Sequence, residues 1–166
     1  MIPGKNIYLR PVSVKDINFI LEWENDPELW EVTSTPGPFT KSEILDFINS
    51  STNIFEQNQM RWMICLKELD TPIGALDLFE YSSVKKSAGI GILIGNKAMR
   101  GKGLAGESLS SFIKYSFSTL PINKLHCMVH MDNIPSIKIF EKNKFIKTGI
   151  RYFRNKKAVQ MELNKP

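Results

Sequence analysis

A strand that runs into a glycine-rich turn and then into an amphipathic helix, AGIGILIGNKAMRGKGLAGESLSSFIKYSFS, constrains this chain more than any other stretch. Ile90, Ile92, Leu93 and Ile94 make 87–94 read as a buried strand, and apolar spacing predicts a helix over 103–118. Between them stand Arg100, Gly101, Lys102, Gly103, Leu104, Ala105 and Gly106. Glycines let backbone N–H groups approach a ligand closely, and a helix N-terminus carries about half a positive charge. A turn so built seats phosphate oxygens, and Arg100 and Lys102 add charge to it.

Two familiar phosphate loops do not fit. The Gly-Lys-Ser/Thr ending of a nucleoside-triphosphate loop is missing, so a magnesium nucleotide lacks its hydroxyl ligand. Gly101, Gly103 and Gly106 match the dinucleotide fingerprint by letter, but no acidic residue follows about 20 positions later to hold a ribose.

The remaining pattern leads to an α/β (α+β) arrangement in one domain over residues 1–166. Residues 5–11 alternate as a strand. Ser13 and Asp16 open a helix whose face carries Ile17, Ile20, Leu21 and Glu24; Asn25-Asp26-Pro27 ends it, and Pro27 can start a short new one. Residues 33–39, with Pro36, Gly37 and Pro38, read as a loop, and Thr40 with Glu43 forms a capping box for a helix to about Ile48. Strands are expected over 61–68, 73–81 and 124–131, a helix over 135–142, and closing strands over 150–153 and 159–163.

Composition excludes several classes. No run of about 18 apolar residues exists to span a bilayer, and the N-terminus lacks the apolar core of a signal peptide, so a cytoplasmic protein with no membrane partner is expected. Cys65 and Cys127 sit in apolar runs and read as buried thiols, with no metal site. The net charge of +5 is uneven: residues 1–96 hold 8 Lys/Arg against 13 Asp/Glu, residues 97–166 hold 14 against 4. The basic residues are spread without interleaved aromatics, which argues against nucleic acid, and the acidic first half attracts a cation.

Three blocks in register carry a family resemblance. Arg100-x-x-Gly103-x-Ala105 resembles the coenzyme A loop of the GNAT N-acetyltransferase superfamily. Asn133, Ser136, Phe140, Lys142 and Phe145 resemble that family's downstream Asn-x-x-Ser/Ala-x-x-x-Tyr-x-Lys segment. The opening Ile7-Tyr8-Leu9-Arg10-Pro11, followed by Trp23-Glu24-Asn25-Asp26-Pro27, is similar to the ribosomal-protein and polyamine acetyltransferase branch. The resemblance implies a GNAT fold: a central, mostly antiparallel mixed sheet, splayed at the cofactor strand and flanked by helices. It implies acetyl-CoA as co-substrate, no metal, direct transfer to a primary amine of a small molecule or peptide, and a monomer or homodimer. Residues 100–106 would hold the pyrophosphate; Ile92, Leu93 and Ile94 would pair with the pantetheine arm. Asn133, Phe140 and Lys142 would lie along the cofactor, and Trp23, Glu24 and Trp30 along the acceptor. Gly89 and Gly91 suit a bulge in the splayed strand.

The chain departs from the family where protons move. Gly89 stands where many relatives carry a strand glutamate, and Phe140 where many carry a tyrosine. Three readings follow: other groups move the proton, the acceptor is an amine of low pKa, or the chain is a catalytically degenerate coenzyme A-binding sensor. For the first, Asp77, polar in an apolar strand, is the foremost candidate base; Glu24, Glu80 and the pair His126 and His130 are the others.

Overall fold

A computed structural model describes residues 1–33 and 37–166. The alternating segments form an eight-stranded sheet from β1 (Ile2–Pro3), β2 (Ile7–Pro11), β3 (Gln59–Leu66), β4 (Thr71–Ser82), β5 (Ser87–Ile94), β6 (Lys124–His130), β7 (Ile146–Phe153) and β8 (Lys156–Asn164). Their order is β1-β2-β3-β4-β5-β6-β8-β7. Every neighbouring pair is antiparallel except β5 and β6. A parallel pair needs a crossover, and the predicted amphipathic helix, α5 (Leu104–Thr119), supplies it.

Alternation sorts the sheet's two faces. Leu76, Leu78, Ala88, Ile90, Leu125 and Val129 point toward α5, whose Leu104, Leu109, Phe112 and Phe117 complete the larger core. Met63, Cys65 and Ala75 point the other way. They meet Ile17, Ile20 and Trp23 of α1 (Ile17–Glu24), Leu29 of α2 (Pro27–Thr33) and Ile44 and Ile48 of α3 (Lys41–Asn49). The Thr40–Glu43 capping box forms as expected, with Glu43 N donating to Thr40 Oγ1 at 3.2 Å and Thr40 N to Glu43 Oε2 at 2.7 Å. Of the expected loop over 33–39, Thr33 instead ends α2, 37–39 are irregular, and 34–36 lie outside the described residues.

Three elements exceed the sequence reading. β1 has two residues and α4 (Ile54–Gln57) four, both too short for periodicity to register. β7 begins at Ile146 rather than 150, and its residues are exposed up to Phe153, so no apolar alternation marks it. Both cysteines are buried thiols. No helix among the described residues is long and apolar enough to cross a membrane.

Candidate active site

The sheet opens beside its parallel pair. β5 and β6 share three register positions, Ser87 with Lys124, Ala88 with Leu125 and Gly89 with His126, and then diverge. Past Gly89, β5 keeps its ladder to β4 on one side, where Leu76 faces Ile92, Ala75 faces Leu93 and Gly74 faces Ile94. Its other edge borders a cleft of about 560 Å³. Ile90–Leu93 line one wall; Met128, Val129, Asn133, Ser136 and Phe140 line the other.

The expected bulge is real but lies on the neighbouring strand. The β4–β5 register shifts between Phe79 and Ser82, so the extra residue belongs to β4, where Glu80 has φ +50°. Gly89 answers a steric need instead. A Cβ built there would lie 2.3 Å from Phe79 Cε2, whereas one at Gly91 would make ordinary contact, 3.6 Å from Phe79 Cε1.

At the wide end of the cleft, β5 leads into the glycine turn. Gly101 and Gly103 have φ +73° and +78°, the left-handed region that glycine enters without penalty. A Cβ at Gly101, Gly103 or Gly106 would meet nothing within 4 Å, so the backbone there is open to an incoming group. Gly103 is the N-cap of α5, and the first bond across the cap runs from Glu107 N to Gly103 O at 3.1 Å. Leu104, Ala105 and Gly106 thus present the orphan amides of a helix start. Arg100 is folded back: its Nε donates to Ile94 O at 2.9 Å, tying the turn to the end of β5. Lys102 is exposed beside it. Glu107 fixes the first turn of α5 to the start of β2 by accepting from Asn6 N at 2.7 Å, Asn6 Nδ2 at 2.9 Å and Ile7 N at 3.2 Å. Partial burial works to raise its pKa, but these bonds outweigh that and hold it below the ordinary glutamate range.

Opposite, the cleft ends on a charged cluster that the sequence did not disclose. Arg61 donates from Nε to Asp77 Oδ1 at 2.7 Å, from Nη2 to Asp77 Oδ2 at 2.8 Å and from Nη1 to Glu24 Oε1 at 3.0 Å. The Phe47 ring stacks 4.4 Å from the guanidinium carbon. Burial disfavours the Arg61 charge, yet Asp77 and Glu24 more than compensate and raise its pKa. The sequence shows only a basic residue at the head of the apolar run Trp62-Met63-Ile64-Cys65; its place across the β3–β4 ladder from Asp77 follows from the pairing alone.

The other expected site residues separate. Asn133, the N-cap of α6 (Ile134–Lys142), lines the cleft and accepts from Ser136 N at 3.3 Å. Phe140 lines it too while packing edge-on against Phe145. Lys142 is exposed in the last turn of α6 and does not line the cleft. Of the expected acceptor residues only Glu24 reaches it. Trp23 is 5 % exposed and packs under Gly95, whose position would place a Cβ 2.2 Å from the indole. Trp30 is turned inward, its Nε1 donating to Glu24 O at 2.6 Å. Trp23 belongs to the helix–sheet core beneath Gly95, and Trp30 braces the Glu24 carbonyl. Cys127 also lines the cleft, but burial pushes its thiol up to about 12, so it offers no thiolate nucleophile at neutral pH.

An extended ligand with phosphates at one end fits these features: open amides at residues 101–106, then an unpaired strand edge at 90–94. No metal-holding group of His, Cys, Asp and Glu occurs among the described residues.

Known proteins resemble this chain in sequence and in fold. The chain is 29% identical over 148 residues to the uncharacterized N-acetyltransferase p20 of Bacillus licheniformis, covering 88% of this chain and 82% of the relative. It is 25% identical over 150 residues to the spermidine N(1)-acetyltransferase of Escherichia coli K12, covering 90% and 77%. The spermidine N-acetyltransferase of Vibrio cholerae, solved in complex with CoA and spermine, superposes with a TM-score of 0.85 at 22% identity over 96% of both chains. The family model for the acetyltransferase (GNAT) domain matches residues 6–146. With most of its length inside that match, this chain belongs to the GNAT acetyltransferase family, whose members use acetyl-CoA.

Proposed function

We propose that this acetyltransferase transfers an acetyl group to the primary amine of a small cationic molecule, directly and without an acyl-enzyme. The observation that carries the reading is the parting of β5 from β6 just past Gly89, with the glycine turn at its open end. Acetyl-CoA supplies the activated acyl group as a thioester. The amides of residues 101–106 receive the diphosphate, and Arg100 and Lys102 contribute charge on that side. The free edge of Ile92, Leu93 and Ile94 adds to an extended arm as one strand adds to another, with Asn133 and Phe140 as the opposite wall. The arm then runs along β5 from the turn toward the apex of the split.

The acceptor comes from the other side. Glu24, Asp77 and Glu80 line the cleft with Arg61 and Arg154, so carboxylates outnumber guanidiniums by three to two and an ammonium is attracted. The names of the relatives, two of them spermidine acetyltransferases, agree in chemical class. Asp77 gives both oxygens to Arg61, and taking up a proton would break one of those bonds; we assign it to orienting the acceptor. The leaving thiol needs little assistance, because a thiolate is a far weaker base, and a better leaving group, than the amide anion it competes with. Phe140, with no proton to give, is therefore compatible with turnover.

The test is calorimetry with acetyl-CoA followed by a thiol-release assay over polyamines, aminosugars, aminoglycosides and peptide N-termini. Micromolar binding and turnover of a small alkylamine are expected. Gly103→Glu, which sets a negative side chain on the open amides, should abolish binding. Undetectable binding by the unaltered chain would overturn the reading; turnover of peptide N-termini alone would reassign the acceptor.

A further inference from the structure

We propose that His126 is the general base of this enzyme, taking from the acceptor amine the proton that the family's strand glutamate, absent at Gly89, would otherwise take. The assignment rests on the acetyltransferase reading above and adds a residue to it.

Register supplies the first argument. Gly89 and His126 are partners in the last shared position of β5 and β6, and paired residues of neighbouring strands project from the same face of a sheet. His126 therefore stands beside the glycine, on the face that carries Asp77 and Phe79, and it lines the cleft. The arm of an acyl carrier seated at the turn reaches along β5 toward this apex, which brings its thioester end to His126 rather than to the wide end.

Sterics supply the second. Phe79 fills the space of any side chain at Gly89: its ring atoms Cε2, Cδ2 and Cζ would stand 2.3, 2.6 and 2.8 Å from a Cβ at that position. The same ring meets the His126 imidazole edge-on, centroids 6.5 Å apart at 88°. One aromatic ring thus excludes a carboxylate at position 89 and orients an imidazole at its neighbour. The β4 bulge supplies the third. It holds Glu80 at φ +50°, a left-handed conformation uncommon for glutamate, on the wall of the same cleft.

The charges around the ring set its state. Half-burial disfavours the imidazolium most; Glu80 on β4 favours it, Lys124 on β6 opposes it, Glu162 on β8 favours it, and Lys85 in the β4–β5 turn opposes it. The balance lowers the pKa below 6.5, so the ring is neutral and able to accept at pH 7. In the step, the imidazole takes one proton from the ammonium, and the freed lone pair forms a C–N bond to the thioester carbonyl. The C–S bond breaks and the thiolate leaves with the pair. The second nitrogen proton passes to the thiolate, giving amide and thiol, and the imidazolium returns its proton to water.

The test compares the unaltered protein with His126→Gln and Glu80→Gln, each checked for folding by circular dichroism and for acetyl-CoA binding by calorimetry. With an alkylamine acceptor, His126→Gln should lower kcat/KM about 10²-fold or more and abolish its inflection below pH 6.5. With an acceptor already neutral at pH 7, such as an aromatic amine, the loss should shrink to within about threefold. Glu80→Gln should move the His126 proton-NMR titration, and the kinetic inflection with it, to lower pH. Unchanged turnover in His126→Gln, or equal losses with charged and neutral acceptors, would overturn the assignment while leaving the acetyltransferase reading intact. An unaltered chain that binds acetyl-CoA but acetylates no amine would overturn both.

Discussion

Arg61→Gln removes a cation that ties α1, α3, β3 and β4 together through Glu24, Phe47 and Asp77, and its cost follows from the geometry. Three charge-assisted bonds of 2.7, 2.8 and 3.0 Å are lost, together with the stack on Phe47. Breaking a buried ion pair by deleting one partner costs about 3–5 kcal/mol, most of it from the charge left behind. Here two carboxylates are left, but the side chains of Glu24 and Asp77 remain 17% and 32% exposed, so water reaches them and the lower end, about 3 kcal/mol, applies. The lost cation–π contact adds about 1 kcal/mol. The sum, about 4 kcal/mol, lowers the melting temperature by about 8–16 °C at this chain length.

Urea unfolding followed by circular dichroism measures this directly, with the midpoint falling and the slope unchanged. Neutralising all three groups separates the two contributions to the loss. Arg61→Gln combined with Glu24→Gln and Asp77→Asn should recover most of the stability, because no uncompensated charge remains. A loss below about 1 kcal/mol in Arg61→Gln, or a triple variant weaker than the single one, would refute the claim that unpaired carboxylates dominate.

Gly95→Ala should destabilise by about 2 kcal/mol in the same assay, since its Cβ would fall 2.2 Å from the buried Trp23 indole in a packed core. Arg100→Ala, which frees the turn from Ile94 O, should weaken acetyl-CoA binding in calorimetry with little change in kcat. Stability should fall on acidification below about pH 4. Asp16 is buried, which disfavours its charge, but Arg10 donates to it at 2.6 and 2.8 Å and depresses its pKa; Glu107 is depressed as well. A carboxylate with a depressed native pKa stabilises above its unfolded value and loses that contribution as pH falls through the native one. Melting temperature against pH checks the sign. Cys127 should resist alkylation at pH 7 in the folded protein, as mass spectrometry would record, because its buried thiol is protonated.

How much of this was legible depended on range. The turn and helix over residues 100–119 were readable because glycine spacing and helical periodicity are local. So was the capping box at Thr40 and Glu43. Trp23 and Trp30 misled because an aromatic stripe on a helix looks the same whether it faces a ligand or a sheet; only packing against Gly95 and the Glu24 carbonyl decides. The Arg61 cluster joins residues 37 and 16 positions apart, and the displaced bulge depends on how two strands pair. Neither is written in any window of the sequence.

The two positions where this chain departs from the pattern it resembles are not equivalent. Phe140 is buried against Phe145 and lines the cleft, so replacing a tyrosine there keeps the wall and removes only a donor that a thiolate of moderate basicity can do without. Gly89 differs, because the proposed acceptor, an alkylammonium of pKa about 10, must shed a proton before it can attack, and a well-placed base accelerates that by about 10²–10⁴. Nor can the glutamate be restored by a single change: its Cβ would collide with Phe79, and moving Phe79 would disturb the ring that faces His126. Positions 79, 89 and 126 are therefore one steric unit. Gly89→Glu alone should lose activity rather than gain it, whereas a productive carboxylate at 89 requires Phe79 to shrink in the same chain.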